Sequence, residues 1–147
     1  MLIESTYIET TRDIRVEITP TYLEEKSIPL ENDYVFQYSI KIINSNKSDI
    51  QILGEEITIR DGRLEEFTLE CDEVNGEQAC IPFNDSYNYT SYCPIQTSTG
   101  NLRGHFWARD IQSGEIFQIN IPLIFFRTID TPTEFVELYR PLYSYSM

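Results

Sequence analysis

Apolar and polar positions alternate along most of the chain up to residue 126, and this two-residue period predicts strands. In DIRVEIT the apolar set Ile14, Val16 and Ile18 alternates with Arg15 and Glu17, as a half-buried strand requires, because successive side chains point to opposite faces. The segment DYVFQYSIKIIN repeats the pattern with Tyr34, Phe36, Tyr38, Ile40 and Ile42. Five further strands read at DIQILGEEITIR, EEFTLECDEV, DSYNYTS, LRGHFWARDI and EIFQINIPLIFF. Alternation predicts that Ile14, Val16, Phe36, Tyr38, Ile40, Tyr89 and Phe106 are buried.

Between the strands lie SNKSD, RDGR, NGEQACIPFND, CPIQTSTGN and QSGE, rich in residues that supply positive φ or side-chain turns. Seven short strands with regularly spaced turn signals and no internal helix predict an all-β fold. Its architecture is a seven-stranded antiparallel sandwich of the immunoglobulin or fibronectin type III-like kind over residues 11–126. Residues 1–10 read as an N-terminal extension, and Thr90–Gly100 as an ordered crossover loop. In the tail, 127–147, Thr131 caps, Pro132 takes the first helical position and Glu134 closes a capping box, which predicts a short helix over 132–140. Its apolar face, Phe135, Leu138 and Tyr139, is expected to pack on the sandwich or on a second copy, a route to a homo-oligomer.

Charge narrows the partners. With 24 acidic residues against 11 basic ones the net charge is −13, which repels nucleic acid and favours basic partners. No apolar run approaches the roughly 20 residues of a membrane-spanning helix. The three cysteines, Cys71, Cys80 and Cys93, are odd in number, and the opening MLIESTYIETTRD lacks a secretory pattern. Free thiols in a reducing, cytoplasmic compartment are the expectation.

The segment YTSYCPIQTSTGNLRGHF, Tyr89 to Phe106, resembles the signature of ApaG domains, and NGEQACIP, ITIRDG and FQINIPLIFF resemble that family's turn, Asp-Gly hairpin and last strand. The resemblance spans roughly residues 11–126. It implies a fibronectin-like sandwich and one of two roles: a protein-binding module, as in eukaryotic multidomain relatives, or a small-ligand or divalent-cation-binding regulator linked to cobalt and magnesium homeostasis, as in bacterial ones. Two departures matter. The family's Arg-His-Trp is here Glu55, Glu56 and Ile57, and its Gly-x-Gly-x-x-Gly is reduced to Cys71, Glu73 and Gly76. A glutamate where backbone N–H groups must approach phosphate argues against pyrophosphate binding.

The remaining constellations are weak as chemistry. Cys93 and His105 form the one conceivable nucleophile and base, but Cys93 is expected in a loop and His105 within a strand, with no helix N-terminus to stabilise an oxyanion. In LECDEVNGE alternation brings at most two carboxylates to one face, too few for a hard cation, and Cys or His pairs at short spacing are missing. Cys80 reads as core. No enzyme activity and no cofactor are expected. The candidate interaction surface is Glu55, Glu56, Gly76, Glu77, Gln78 and Trp107, where acidic positions accompany an indole predicted to face away from the core.

Overall fold

The computed structural model describes residues 5–128. Nine strands appear: β1 (Tyr7–Thr11), β2 (Ile14–Tyr22), β3 (Tyr34–Asn44), β4 (Ile50–Asp61), β5 (Glu66–Cys71), β6 (Cys80–Ile81), β7 (Ser86–Ile95), β8 (Thr99–Asp110) and β9 (Ile116–Arg127). All pairings between them are antiparallel. The first sheet runs β1-β2-β3-β7 and the second β5-β4-β8-β9, with β6 pairing β4 beyond the end of β5. Two short 3₁₀ turns, Glu24–Lys26 and Pro29–Glu31, join β2 to β3.

The alternating positions meet between the sheets. Ile14, Val16, Ile18, Phe36, Ile40 and Ile42 of the first sheet face Ile50, Ile52, Leu102, Phe106, Ile119, Ile124 and Phe126 of the second, all buried. Burial of such side chains supplies roughly 1.5–3 kcal/mol each and is the main drive for closing the two layers. Asn44 is the buried polar exception, and it is satisfied: its amide donates to Ser48 O at 2.9 Å and Ile81 O at 3.0 Å, and its Oδ1 accepts from Asn46 N at 3.0 Å.

The two sides of the sandwich differ. On one side β1 and β2 stack on β9. Thr11 Oγ1 accepts from Asn120 N at 3.1 Å, Arg12 grips Glu115 with two 3.0 Å bonds, and the rings of Tyr7 and Phe125 lie 6.2 Å apart. On the other side the sheets end at β7 and β5. There β5 overhangs: Phe67 and Leu69 pair with the inward-facing Ile59 and Ile57, yet remain 46% and 51% exposed.

The expected seven strands are all present, joined by β1 and β6, so the described residues form nine strands where seven were expected. The sheet begins at Tyr7, inside the stretch read as an extension, because Tyr7–Thr11 finds a partner in β2. Thr90–Gly100 is not a loop. Strand β7 continues to Ile95 and β8 starts at Thr99, so only Gln96–Ser98 cross between the sheets. Edge position explains this, since Pro94 withholds a donor only on a side where no strand needs it. Of the expected buried set only Tyr89 is partly exposed, because β7 borders the open side. The helix expected over 132–140 lies outside the described residues.

Candidate functional site

Two irregularities in the second sheet shape a groove on its surface. The pairing of β4 with β8 slips between Ile52 and Gly54, and that of β8 with β9 slips between Leu102 and Gly104. Both slips are built on close approach. A Cβ at Gly54 would run into the carbonyl oxygen of Cys71, and one at Gly104 into that of Glu56. The slip at Leu53 resets the alternation, so Glu55 falls in phase with Ile57 and Ile59 and turns toward the core.

Gly54 pairs directly with Trp107, so no side chain from that position covers the indole, which is 40% exposed. Beside it opens a groove of about 980 Å³ lined by Leu53, Glu55, Glu70, Asp72, Glu73 and Trp107, with Asn75, Gly76 and Ile116 at its margins. Glu70, Asp72 and Glu73 thus bring acidic side chains to one aromatic wall, with no Lys or Arg among the lining residues, while Glu55, the strand partner of the buried Phe106, points to the opposite face of the sheet.

The loop after β5 forms the rim. Asn75 and Gly76 both have positive φ, 56° and 78°, and close a tight turn bridged by Val74 and Glu77. Gly76 therefore serves the turn. Gln78 ties the loop to the slipped strand, its amide donating to Leu53 O at 3.0 Å and Asp72 O at 2.9 Å. Glu77 accepts from the Tyr87 hydroxyl at 2.6 Å.

Behind the groove, on the inner face of the second sheet, Glu55 approaches the first sheet. Burial pushes its carboxyl up to about 6, with the Tyr89 hydroxyl working the other way. Burial also raises the Tyr89 and Tyr38 hydroxyls, Tyr38 to about 12. Glu55 Oε2 and the Tyr89 hydroxyl are shut off from solvent, and neither has a well-formed hydrogen bond. On the outer face Glu56 lies between its strand neighbours Glu70 and His105, 3.8 Å from His105 Nε2. Hydrogen bonding to Glu56 and its charge raise the Glu70 carboxyl. The His105 ring meets Trp107 edge-on at 5.2 Å.

Of the six candidate surface residues, Glu55, Gly76 and Trp107 line the groove. Glu77 and Gln78 hold its rim, and Glu56 stands on the adjoining outer face. The lining by Glu70, Asp72 and Glu73 was not among them. Its signal was the glycine inside LGEE, since a glycine interrupting a strand pattern marks a bulge or a close backbone approach.

Cys93, on β7, pairs with Phe36 of β3 and is buried, and burial pushes its thiol up to about 12, away from nucleophilic ionisation. It is therefore a strand residue, not the loop residue expected. Cys80 is exposed, because Ile81 takes the inward position of the two-residue β6. Among the described residues no three His, Cys, Asp or Glu side chains are grouped to hold a metal ion, and no helix is long and apolar enough to cross a membrane.

Comparison with known proteins matches this chain to one family. The family model described as ApaG domain matches residues 24–110. Protein ApaG of Mesorhizobium japonicum is 42% identical over 118 residues, covering 79% of this chain and 88% of that protein. Protein ApaG of Klebsiella pneumoniae is 38% identical over 108 residues, covering 74% and 86%. The crystal structure of an ApaA protein from Bordetella pertussis superposes with a TM-score of 0.78 at 28% identity, covering 81% of this chain and 96% of that one. A second X-ray structure gives 0.76 at 30% identity, covering 82% and 91%.

Proposed function

The chain belongs to the ApaG domain family, and from that premise we propose that it is a non-catalytic protein-interaction module whose groove receives a basic segment of a partner. The observation that carries this reading is the groove beside Trp107, where Glu70, Asp72 and Glu73 leave negative charge without a basic side chain in the lining. A guanidinium or ammonium placed there gains Coulomb attraction from several carboxylates. It also gains contact with an indole, whose ring quadrupole attracts cations. The net charge of −13 adds long-range steering of a basic partner and weighs against nucleic acid. A reducing cytoplasm suits the three free thiols. The alternative, a small-ligand or divalent-cation-binding regulator, draws on the family resemblance and the acidic loops alone.

Trp107 is the single tryptophan of the chain, so its emission reports occupancy of the groove directly. Titration of the full chain with a hexa-arginine peptide at low salt is expected to give a saturable change in emission, while a hexa-glutamate peptide gives none. Charge reversal by Asp72→Lys with Glu73→Lys is expected to weaken the apparent affinity at least tenfold, and added salt to weaken it progressively. A non-saturable response, or one unaffected by the double reversal, would remove this reading.

A further inference from the structure

We propose that the free edge of β5 is where the partner docks, as an extended basic segment that adds to the second sheet as a further strand beside Glu66–Cys71. The inference rests on the interaction-module reading above and specifies its geometry.

The other edges are less available. Strands β1 and β9 close on each other through the Arg12–Glu115 pair, the Thr11–Asn120 bond and the Tyr7–Phe125 contact. The edge strand β7 carries Pro94, and the rim loop reaches it through Asn75 and Glu77 at Tyr87. Strand β5 pairs with β4 and with no other strand among the described residues. It is six residues long, exposed throughout, and contains none of the lysine or proline that proteins commonly use to blunt an edge.

The side chains of β5 specify the occupant. On its inner face Phe67 and Leu69 are open, a seat for apolar side chains at alternate positions of an added strand. On its outer face Glu66 already holds Arg60 at 2.8 Å and Arg103 at 3.2 Å. Glu70 faces the like charge of Glu56, with His105 as the basic group beyond, and the chain runs on into Asp72 and Glu73. What this end of the edge lacks is a cation. A second copy is a poor occupant, because antiparallel self-pairing centred on Thr68 sets Glu66 opposite Glu70 of the other copy. A strand alternating basic and apolar residues satisfies both faces, and its end leads a basic side chain on toward Trp107.

The test uses the full chain, isotope-labelled for amide hydrogen exchange, and a six-residue peptide of alternating lysine and valine. A second peptide is N-methylated at alternate residues, which keeps charge and side chains but removes the backbone donors of one edge. The expected result is saturable binding of the first peptide only, at least tenfold slower exchange of amides within 66–71, and at least tenfold weaker binding by Glu70→Lys. Equal binding of the N-methylated peptide and the parent, with changes confined to residues 72–76 and Trp107, would overturn strand addition and leave the groove reading standing. Absence of binding by any of these peptides, together with a silent hexa-arginine titration, would overturn both. Protection of 66–71 that rises with protein concentration in the absence of peptide would identify a second copy as the occupant and also overturn the proposal.

Discussion

The carboxyl of Glu55 sits against Tyr89 and Tyr38 of the facing sheet and beside its strand partners Phe106 and Cys71, surroundings that favour its neutral form. Folded, it keeps its proton up to about pH 6, whereas the ordinary value is 4.5. Protonated Glu55 therefore supports the fold fully below pH 4.5, and that support is lost as pH rises through 6. Glu55→Gln is expected to raise stability at pH 7.5 by on the order of 1 kcal/mol, allowing for the solvent screening of a partly buried group, and to confer no advantage at pH 4. Urea unfolding at the two pH values checks this, and an equal gain at both would separate the effect from ionisation. The inward turn of Glu55 was not legible in the sequence. Counted from Ile50 and Ile52 it is an outward position, and only the slip at Leu53 brings it into phase with Ile57. Cys93 was misplaced for a related reason: its Pro, Thr and Ser neighbours carry turn chemistry that an edge strand tolerates.

Among the elements, the long strands were readable because each buries one face against the opposite sheet, which imposes a period of two on the sequence. The two that escaped, β1 and β6, have weak patterns: β1 has no fully buried residue, and β6 is a pair of residues held by β4. Strand β5 was readable as a strand but not as an edge, since alternation is silent about whether the facing sheet extends far enough to cover Phe67 and Leu69. The glycines at the two slips are the elements' weak points. In Gly104→Ala the new methyl must displace the Glu56 carbonyl, from a backbone φ of 157° that other residues rarely adopt. A loss of about 1–3 kcal/mol is expected, the usual cost of overpacking, accompanied by a shift in Trp107 emission. Urea unfolding followed by that emission measures both, and wild-type stability would mean that β4 and β8 can separate locally without cost.

For the molecule as a whole, composition told more about surface than about site. The excess of carboxylates was plain in the sequence, but which of them converge depends on pairings between β4, β5 and β8 that join residues far apart in the chain. All nine strands end by Arg127, so deletion of residues 131–147 is expected to leave the β-sheet circular dichroism intact. The Tyr-rich, charge-poor composition of that segment predicts that its removal lowers solubility or changes the elution volume on size exclusion, and unchanged values for both would show that the segment covers nothing. The closed side of the sandwich carries a different consequence. Because Tyr7 and Phe125 touch there, the first and last strands begin and end at one corner, the arrangement that makes circular permutation practicable. That corner lies three strand spacings, about 14 Å, from β5 across the second sheet, so a permuted chain opened or joined at Tyr7 and Arg127 leaves the edge strand untouched.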